Sequence, residues 1–298
     1  MRISSHQFHL NAISNIQFNT ARFNEASVQL ATNERIAKPS DDPLGAVMLL
    51  NLDSELDALS QYESNMEAVN FTLGQQEVQL TGIVNQIYAL QGLITTAADG
   101  SMGTEELQAL GQEMSVIFPG IVDLLNATDG EGKYYFSGSE KNTKPFDLDA
   151  AGNYFYNGDE RVREVAVSAD STVASNIIGN DLDPSADFLN AMQDYLVDVN
   201  NPPAAGVGPE SRAMIDKLAD FLGTITGEIT KIGGTLASLD SLTTSNQDIT
   251  TFTSNLRDEI SSVDYPEAYI KMNESMAAYE SSMKVYSNVT SLSLFSLI

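Results

Sequence analysis

The 298-residue chain contains no cysteine and no tryptophan, and only 15 Lys+Arg against 41 Asp+Glu. Without cysteine there is no disulfide, no thiolate nucleophile and no cysteine-ligated zinc or iron–sulfur centre. The shortage of base leaves a formal net charge of −26. That argues against nucleic acid or an anionic membrane as a partner, because holding phosphate needs clustered Lys and Arg. No apolar run of roughly 18 residues is present, so no membrane-spanning helix is expected. The first residues, Met1-Arg2-Ile3-Ser4-Ser5-His6, lead into mixed polar sequence and lack the apolar core of a secretory signal. Export would take another route.

The shortage is also local. From Pro39 to Gly132 there are 15 Asp+Glu and no Lys or Arg, and from Glu164 to Ser211 there are 8 acids and again no base. Such blocks keep a chain solvated by self-repulsion. The two ends are closer to neutral.

Motifs for chemistry are missing as well. His6 and His9 are the only histidines. A His-x-x-His pair can ligate a metal from one helix face, but no carboxylate or cysteine stands beside this one. There is no Gly-x-Ser-x-Gly elbow, no phosphate loop and no Gly-x-Gly-x-x-Gly after a strand. Asp181-Leu182-Asp183 is too sparse for a calcium loop. The expectation is a protein that is not an enzyme, with no catalytic residue, cofactor or metal.

What is present is helical periodicity. Apolar residues make up 42%, enough for a core, and the length suits about two domains of roughly 150 residues. Leu52, Leu56, Leu59, Met66, Leu73, Leu80, Val84, Ile87 and Ile94 share one 3-4 lattice, interrupted at Glu63, Asn70, Glu77 and Gln91. The run starts at Pro39-Ser40-Asp41-Asp42-Pro43, where Asp42 can cap and Pro43 can take the first helical position. It ends near Asp99-Gly100, giving a helix roughly 80 Å long. A second helix fits residues 104–126, with a kink or break expected at Pro119. Ile215, Leu218, Leu222, Ile225, Ile229, Ile232, Leu236 and Leu239 form a further run, continued less strictly by Ile249, Phe252, Leu256 and Ile260. Stripes of this length must bury one another.

Residues 133–175 differ. Tyr134-Tyr135-Phe136, Tyr154-Phe155-Tyr156 and Val162 to Val167 are β-prone and punctuated by glycine. Residues 185–199 fit one short helix, and 200–209 a return loop. The expected fold is mainly α: a long antiparallel helical bundle or coiled-coil rod built from N- and C-terminal parts, with a small β-rich inserted domain. The expected division is terminal assembly helices at 1–42 and 262–298, a helical rod at 43–132 and 210–261, and a β-rich insertion with one short helix at 133–209.

Both ends are amphipathic with little charge. Ile13, Ile16, Thr20, Phe23, Ser27 and Leu30 share one seam. Tyr265, Tyr269, Met272, Met276, Tyr279, Met283 and Tyr286 alternate 4-3-4-3-4-3, and Leu292, Leu294 and Phe295 follow in an apolar tail. Tyr and Met make a large, adaptable contact stripe. An apolar terminus on an acidic chain points to helices that become fully buried in an assembly. The expected assembly interface is Ile13, Ile16, Phe23, Leu30, Tyr265, Tyr269, Met272, Met276, Tyr279, Met283, Tyr286, Leu292, Leu294 and Phe295. A head-to-tail contact would give tubes or filaments.

The segment from Leu30 through Asn33-Glu34-Arg35-Ile36-Ala37-Lys38-Pro39-Ser40-Asp41-Asp42-Pro43 to Ala46 resembles the N-terminal signature of the flagellin superfamily, with Asn33-Glu34 in place of the more usual Ser/Thr-Gly-Lys. The start Met1-Arg2-Ile3-Ser4, the stretch Asn126-Ala127-Thr128-Asp129-Gly130-Glu131-Gly132-Lys133-Tyr134-Tyr135-Phe136-Ser137-Gly138 with Thr143-Lys144-Pro145-Phe146, and the end Ser291-Leu292-Ser293-Leu294-Phe295 are nearer to its hook–filament junction subunits than to filament flagellins. This resemblance covers roughly 1–146 and 255–298. It implies a structural subunit of the bacterial flagellum, exported unfolded through the flagellar type III apparatus with an export chaperone. It implies self-association in a ring, with the first hook-associated protein on one side and flagellin on the other. Two readings compete: a filament flagellin, and a secreted adhesin or enzyme on a helical stalk.

Overall fold

The computed structural model describes the backbone of residues 2–295, with the side chains of residues 2–6, 8, 289 and 291–295 outside that description. It is mainly α-helical, with a small β segment inserted between the long helices. Helix α1 covers Arg2–Thr32, α2 Pro43–Ala97 and α3 Thr104–Leu125. Strands β1 (Phe146–Leu148), β2 (Tyr154–Tyr156), β3 (Glu164–Ala166) and β4 (Thr172–Ala174) follow. Then come α4 (Gly179–Leu182), a 3-10 turn at Pro184–Ala186, α5 (Asp187–Asn200), α6 (Gly208–Ser261) and α7 (Tyr265–Phe295). Pro119 does not break α3, which runs through it to Leu125. The chain forms two compact units, Met1–Ala58 with Asp248–Ile298, and Leu59–Gln247; the boundary falls inside α2 and α6.

The core of the Leu59–Gln247 unit is a heptad core. On α2, Met66, Leu73, Leu80, Ile87 and Ile94 are buried at intervals of seven, as the lattice predicts. The second buried row is Val69, Gln76, Ile83, Leu90 and Ala97, one position short of the predicted row through Glu63, Asn70, Glu77, Val84 and Gln91. A glutamine and an alanine stand in that row, which hides it from a search for large apolar residues. Leu218, Ile225, Ile232 and Leu239 line the facing side of α6. A seven-residue period keeps one face toward its partner along the whole contact. The α2 and α6 segments run antiparallel: the Asn246 side-chain amide donates to the Leu59 carbonyl at 3.0 Å and Gln247 donates to Glu63 at 3.0 Å. Helix α3 adds Leu107, Met114, Phe118, Ile121 and Leu125.

On α6 the seam continues past Leu239 with different chemistry. The buried positions are Asn246 and Thr253, while Ile249 is exposed and Phe252 is 69% exposed. The expectation that Ile249 and Phe252 extend the apolar seam is therefore corrected. The heptad row persists, and polar residues occupy it.

The β segment is two separate antiparallel hairpins, β1 with β2 and β3 with β4. Phe146 pairs with Tyr156, and Val165 with Val173. Tyr134-Tyr135-Phe136 is not a strand; Tyr134 makes one isolated bridge to Thr128, and Phe136 is fully buried. Two aspartates build equivalent tight loops. Asp129 accepts the N–H groups of Glu131 (2.8 Å) and Lys133 (2.9 Å), and Asp149 those of Ala151 and Asn153 (both 2.8 Å). These bonds favour the ionised carboxylates and hold both below the usual aspartate range. Helix α5 packs on α6 through stacked Phe188 and Phe221 rings, centroids 4.1 Å apart. The buried Asp183 carboxylate accepts the N–H groups of Phe188 (2.8 Å) and Leu189 (3.1 Å) at the start of α5. Burial pushes Asp183 up to about 6, although those two bonds and Lys217 oppose the rise.

Candidate assembly surface

The first unit brings both chain ends together through two linkers. Asn33 takes a left-handed conformation at φ 62°, which an asparagine tolerates better than most residues. The Arg35 N–H then donates to the Ser261 carbonyl at 2.7 Å, and Val263 donates to the Asn33 carbonyl at 3.3 Å. The Arg35 guanidinium closes this clasp. Its Nε and Nη2 donate to the Ile260 carbonyl at 3.2 and 3.1 Å, and its Nη1 reaches Asp42 at 3.1 Å. A cation on the last carbonyls of α6 suits the negative end of a helix.

Asp42 caps α2 as the sequence predicts, accepting the Gly45 N–H at 3.0 Å. That bond, aided by Arg35, holds the Asp42 carboxyl below its ordinary range. Gly45 is buried, and a Cβ there would stand 2.6 Å from both Asp42 Oδ2 and Ile36 Cδ1. A larger residue there would push the Asp42 carboxylate or the Ile36 side chain aside. Asp264 begins α7 in the same manner, accepting the Glu267 N–H at 3.1 Å.

Helices α1 and α7 pack antiparallel. Moving up α1, His9 lies edge-on to Tyr286 with ring centroids 5.8 Å apart, and the Asn19 amide donates to Ser282 Oγ at 3.1 Å. Phe23 then shares a cleft of about 330 Å³ with Thr20, Asn24, Met276 and Tyr279. Among the described side chains, the buried positions of the pair are small: Ala26, Ala268 and Ser275. Small residues let two helices approach closely, so larger neighbours are displaced to the flanks.

This packing sorts the predicted interface residues. Ile16, Phe23, Leu30, Met272 and Tyr286 are half-buried. Ile13, Tyr265, Tyr269, Met276, Tyr279 and Met283 are exposed. Phe23, Met276 and Tyr279 meet around one cleft. The side chains of Leu292, Leu294 and Phe295 lie outside the described residues. Among the described residues no group of three or more His, Cys, Asp or Glu is placed to hold a metal, and no helix is long and apolar enough to cross a membrane.

The sequence reading missed a second set of exposed apolar residues. Leu10, Phe18 and Val28 on α1, and Ile270 and Val285 on α7, face outward. At the start of α2, Leu44 is 74% exposed, Val47 55%, Met48 46% and Leu50 67%. A signal for the last group was available: Pro43–Leu50 contains no polar side chain. Charge follows the same geography. Residues 1–40 and 262–298 together hold six acidic and six basic side chains, so the net −26 falls on residues 41–261.

Residues 3–141 match the family model of the bacterial flagellin N-terminal helical region. Flagellar hook-associated protein 3 of Salmonella typhimurium is 25% identical, in an alignment covering 100% of this chain and 99% of that protein. A flagellar hook-associated protein structure from Vibrio parahaemolyticus is similar at 25% identity and a TM-score of 0.69, over 74% of this chain and 100% of that one. A hook-associated protein 3 structure from Legionella pneumophila shares the fold, with 16% identity and a TM-score of 0.65 over 70% of this chain and 98% of that one. The resemblance read from the sequence, to the flagellin superfamily and within it to hook-associated protein 3, thus extends along the whole chain.

Proposed function

We propose that this chain is a structural subunit of the bacterial flagellum that joins the hook-associated ring to the flagellin filament as an adaptor, without catalysis. The observation that carries this reading is the end-to-end similarity to flagellar hook-associated protein 3, which spans nearly the full length of both chains. The chemistry of the ends supports it. Helices α1 and α7 leave Ile13, Phe18, Tyr269, Ile270, Met276 and Met283 exposed on segments whose charges balance. Such helices lose their apolar exposure by packing against further copies or related subunits.

In this reading residues 1–42 and 262–298 are the assembling helices, 43–132 and 210–261 the helical rod domain, and 133–209 the β-rich insertion. The subunits form a ring, with the first hook-associated protein on one side and flagellin on the other. The chain leaves the cell through the flagellar type III apparatus, escorted by an export chaperone, and works extracellularly. A strain lacking the protein should build hooks and secrete flagellin unpolymerised into the medium. Normal filaments on such a strain would overturn the reading. Purified protein added to short filament seeds should not extend them; long homopolymers seen by electron microscopy would make it a filament flagellin instead.

A further inference from the structure

Helix α5 carries its carboxamides on one face. Asn190, Gln193 and Asn200 are separated by three and then seven residues, the spacing of a helical stripe, and Asn201 follows at its end. The first two hold the β1–β2 hairpin. Asn190 Oδ1 accepts the Tyr154 N–H at 2.7 Å and its Nδ2 donates to the Tyr154 carbonyl at 2.9 Å, while Gln193 Nε2 donates to the Gly152 carbonyl at 3.0 Å. From Gln193 onward the stripe lines a cleft of about 380 Å³, closed by Leu148 and Tyr154 of the hairpin and by Phe118 of α3. Phe118 meets Tyr154 edge-on, with ring centroids 6.0 Å apart. The carboxamides here are poorly engaged. Gln193 Oε1 is buried and has no hydrogen-bond partner, a rare condition for a buried acceptor. Asn200 Nδ2 reaches Ser115 Oγ at 3.5 Å, and Asn201 Nδ2 turns back to the Val197 carbonyl at 3.2 Å. A Cβ on Gly111 of α3 would stand 2.7 Å from Asn200 Oδ1, so glycine leaves that carboxamide its place. None of the residues lining the cleft is charged, in a chain where 19% of residues are.

We propose that this cleft binds an uncharged saccharide of one or two rings, a function separate from assembly. The lining selects the ligand by elimination. An ion would find no counter-charge. A wholly apolar molecule would leave the carboxamides dry. A peptide cannot add as a third strand at these positions, because asparagines occupy the backbone groups it would need on both sides of the hairpin. Asn190 takes those of Tyr154, and Asn126 accepts the Phe146 N–H at 2.9 Å and donates to its carbonyl at 3.0 Å. A sugar hydroxyl both donates and accepts, as a carboxamide does. The C–H face of a sugar ring suits Tyr154 and the exposed side chains of Leu148 and Val197, which flank the carboxamides. The volume falls within the roughly 300–1,000 Å³ of small-molecule sites.

The test is saturation-transfer NMR on the purified full chain with a panel of neutral mono- and disaccharides, including N-acetylated ones, and with acidic sugars in parallel. At least one neutral sugar should bind saturably, and the acidic sugars should not. Val197 and Asn201 are exposed, so Val197→Arg and Asn201→Ala should keep the helical circular dichroism of the parent. Val197→Arg should abolish binding by filling the cleft mouth. Asn201→Ala should weaken it about fivefold, the loss of one hydrogen bond. Val116→Arg, at an exposed site of α3 outside the cleft, should leave it unchanged. Binding of no neutral sugar, preference for acidic sugars, or binding that survives Val197→Arg overturns the inference and leaves the adaptor reading untouched.

Discussion

In the Leu59–Gln247 unit the large side chains are inside, whereas in the α1/α7 pair the small ones are. Leu80, Ile83, Ile87 and Leu90 are fully buried; at the chain ends Ala26, Ala268 and Ser275 hold that position while Met276, Met283, Tyr269 and Phe18 remain exposed. Area removed from water sets the hydrophobic contribution, at about 25 cal/mol per Å². The first region therefore stabilises itself, and the second has apolar area left over for a partner. One chain thus combines a unit that buries its large apolar side chains with ends that leave theirs exposed.

The comparison breaks most visibly in the core. Leu80→Ala should cost about 2–5 kcal/mol, the usual range for a buried leucine lost from a packed interior. Urea unfolding of the purified protein measures it. A loss under 1 kcal/mol would mean that the heptad core is not what holds that unit together.

Next in size is the buried carboxylate of the same unit. Asp183 titrates at about 6 in the folded chain, against an ordinary 3.8. The folded state therefore binds this proton more readily than the unfolded one, and the group adds stability as pH falls from neutral toward 4. The gain should be about 2 kcal/mol over that interval. Asp183→Asn should remove it, which a comparison of unfolding curves at the two pH values reveals. The depressed aspartates at 42, 129, 147 and 149 act in the other direction, and only below about pH 4, where the unfolded chain takes up protons first.

A smaller effect is expected at the clasp. Arg35→Ala removes both guanidinium bonds to the Ile260 carbonyl and the pair with Asp42. Helices α1 and α7 should then be cut faster by protease, while the fragment containing Leu59–Gln247 stays resistant. Unchanged cleavage rates would show that the backbone bonds of the two linkers suffice.

The smallest effect on folding should come from the exposed methionines. Met276→Lys or Met283→Lys should shift stability by no more than about 0.5 kcal/mol, as surface changes generally do, and still prevent incorporation into the flagellum. Normal incorporation would remove these residues from the assembly surface. Thermal melts and immunodetection on isolated flagella separate the two readouts.

Much of the fold was legible because seven-residue spacing is a property of sequence. The row Met66, Leu73, Leu80, Ile87, Ile94, the cap at Asp42 with Pro43, and the short helix ahead of the return loop at 200–209 could all be read directly. Buried positions held by polar or small residues could not: Gln76 and Ala97 in α2, Asn246 and Thr253 in α6, and Ala268 and Ser275 in α7. A polar or small residue is buried there because of what faces it. Gln76, for example, donates to the Tyr135 carbonyl at 2.8 Å, a residue distant in the chain. Tyr269, Met276 and Met283 flank the buried row of α7 and stay exposed.

The sequence alone determined that the chain would be helical, that its two ends would belong together, and that its charge would lie away from them. Periodicity, capping residues and charge counts are local facts that no folding alters. Tertiary structure alone decided which residues of an apolar helix are covered and which wait uncovered. That depends on how closely two backbones approach, and at Ala26, Ala268 and Ser275 the approach is set by the absence of a large side chain. The missing cysteine and the scarce base excluded chemistries, but only the packing turned an apolar stretch such as Pro43–Leu50 into a surface.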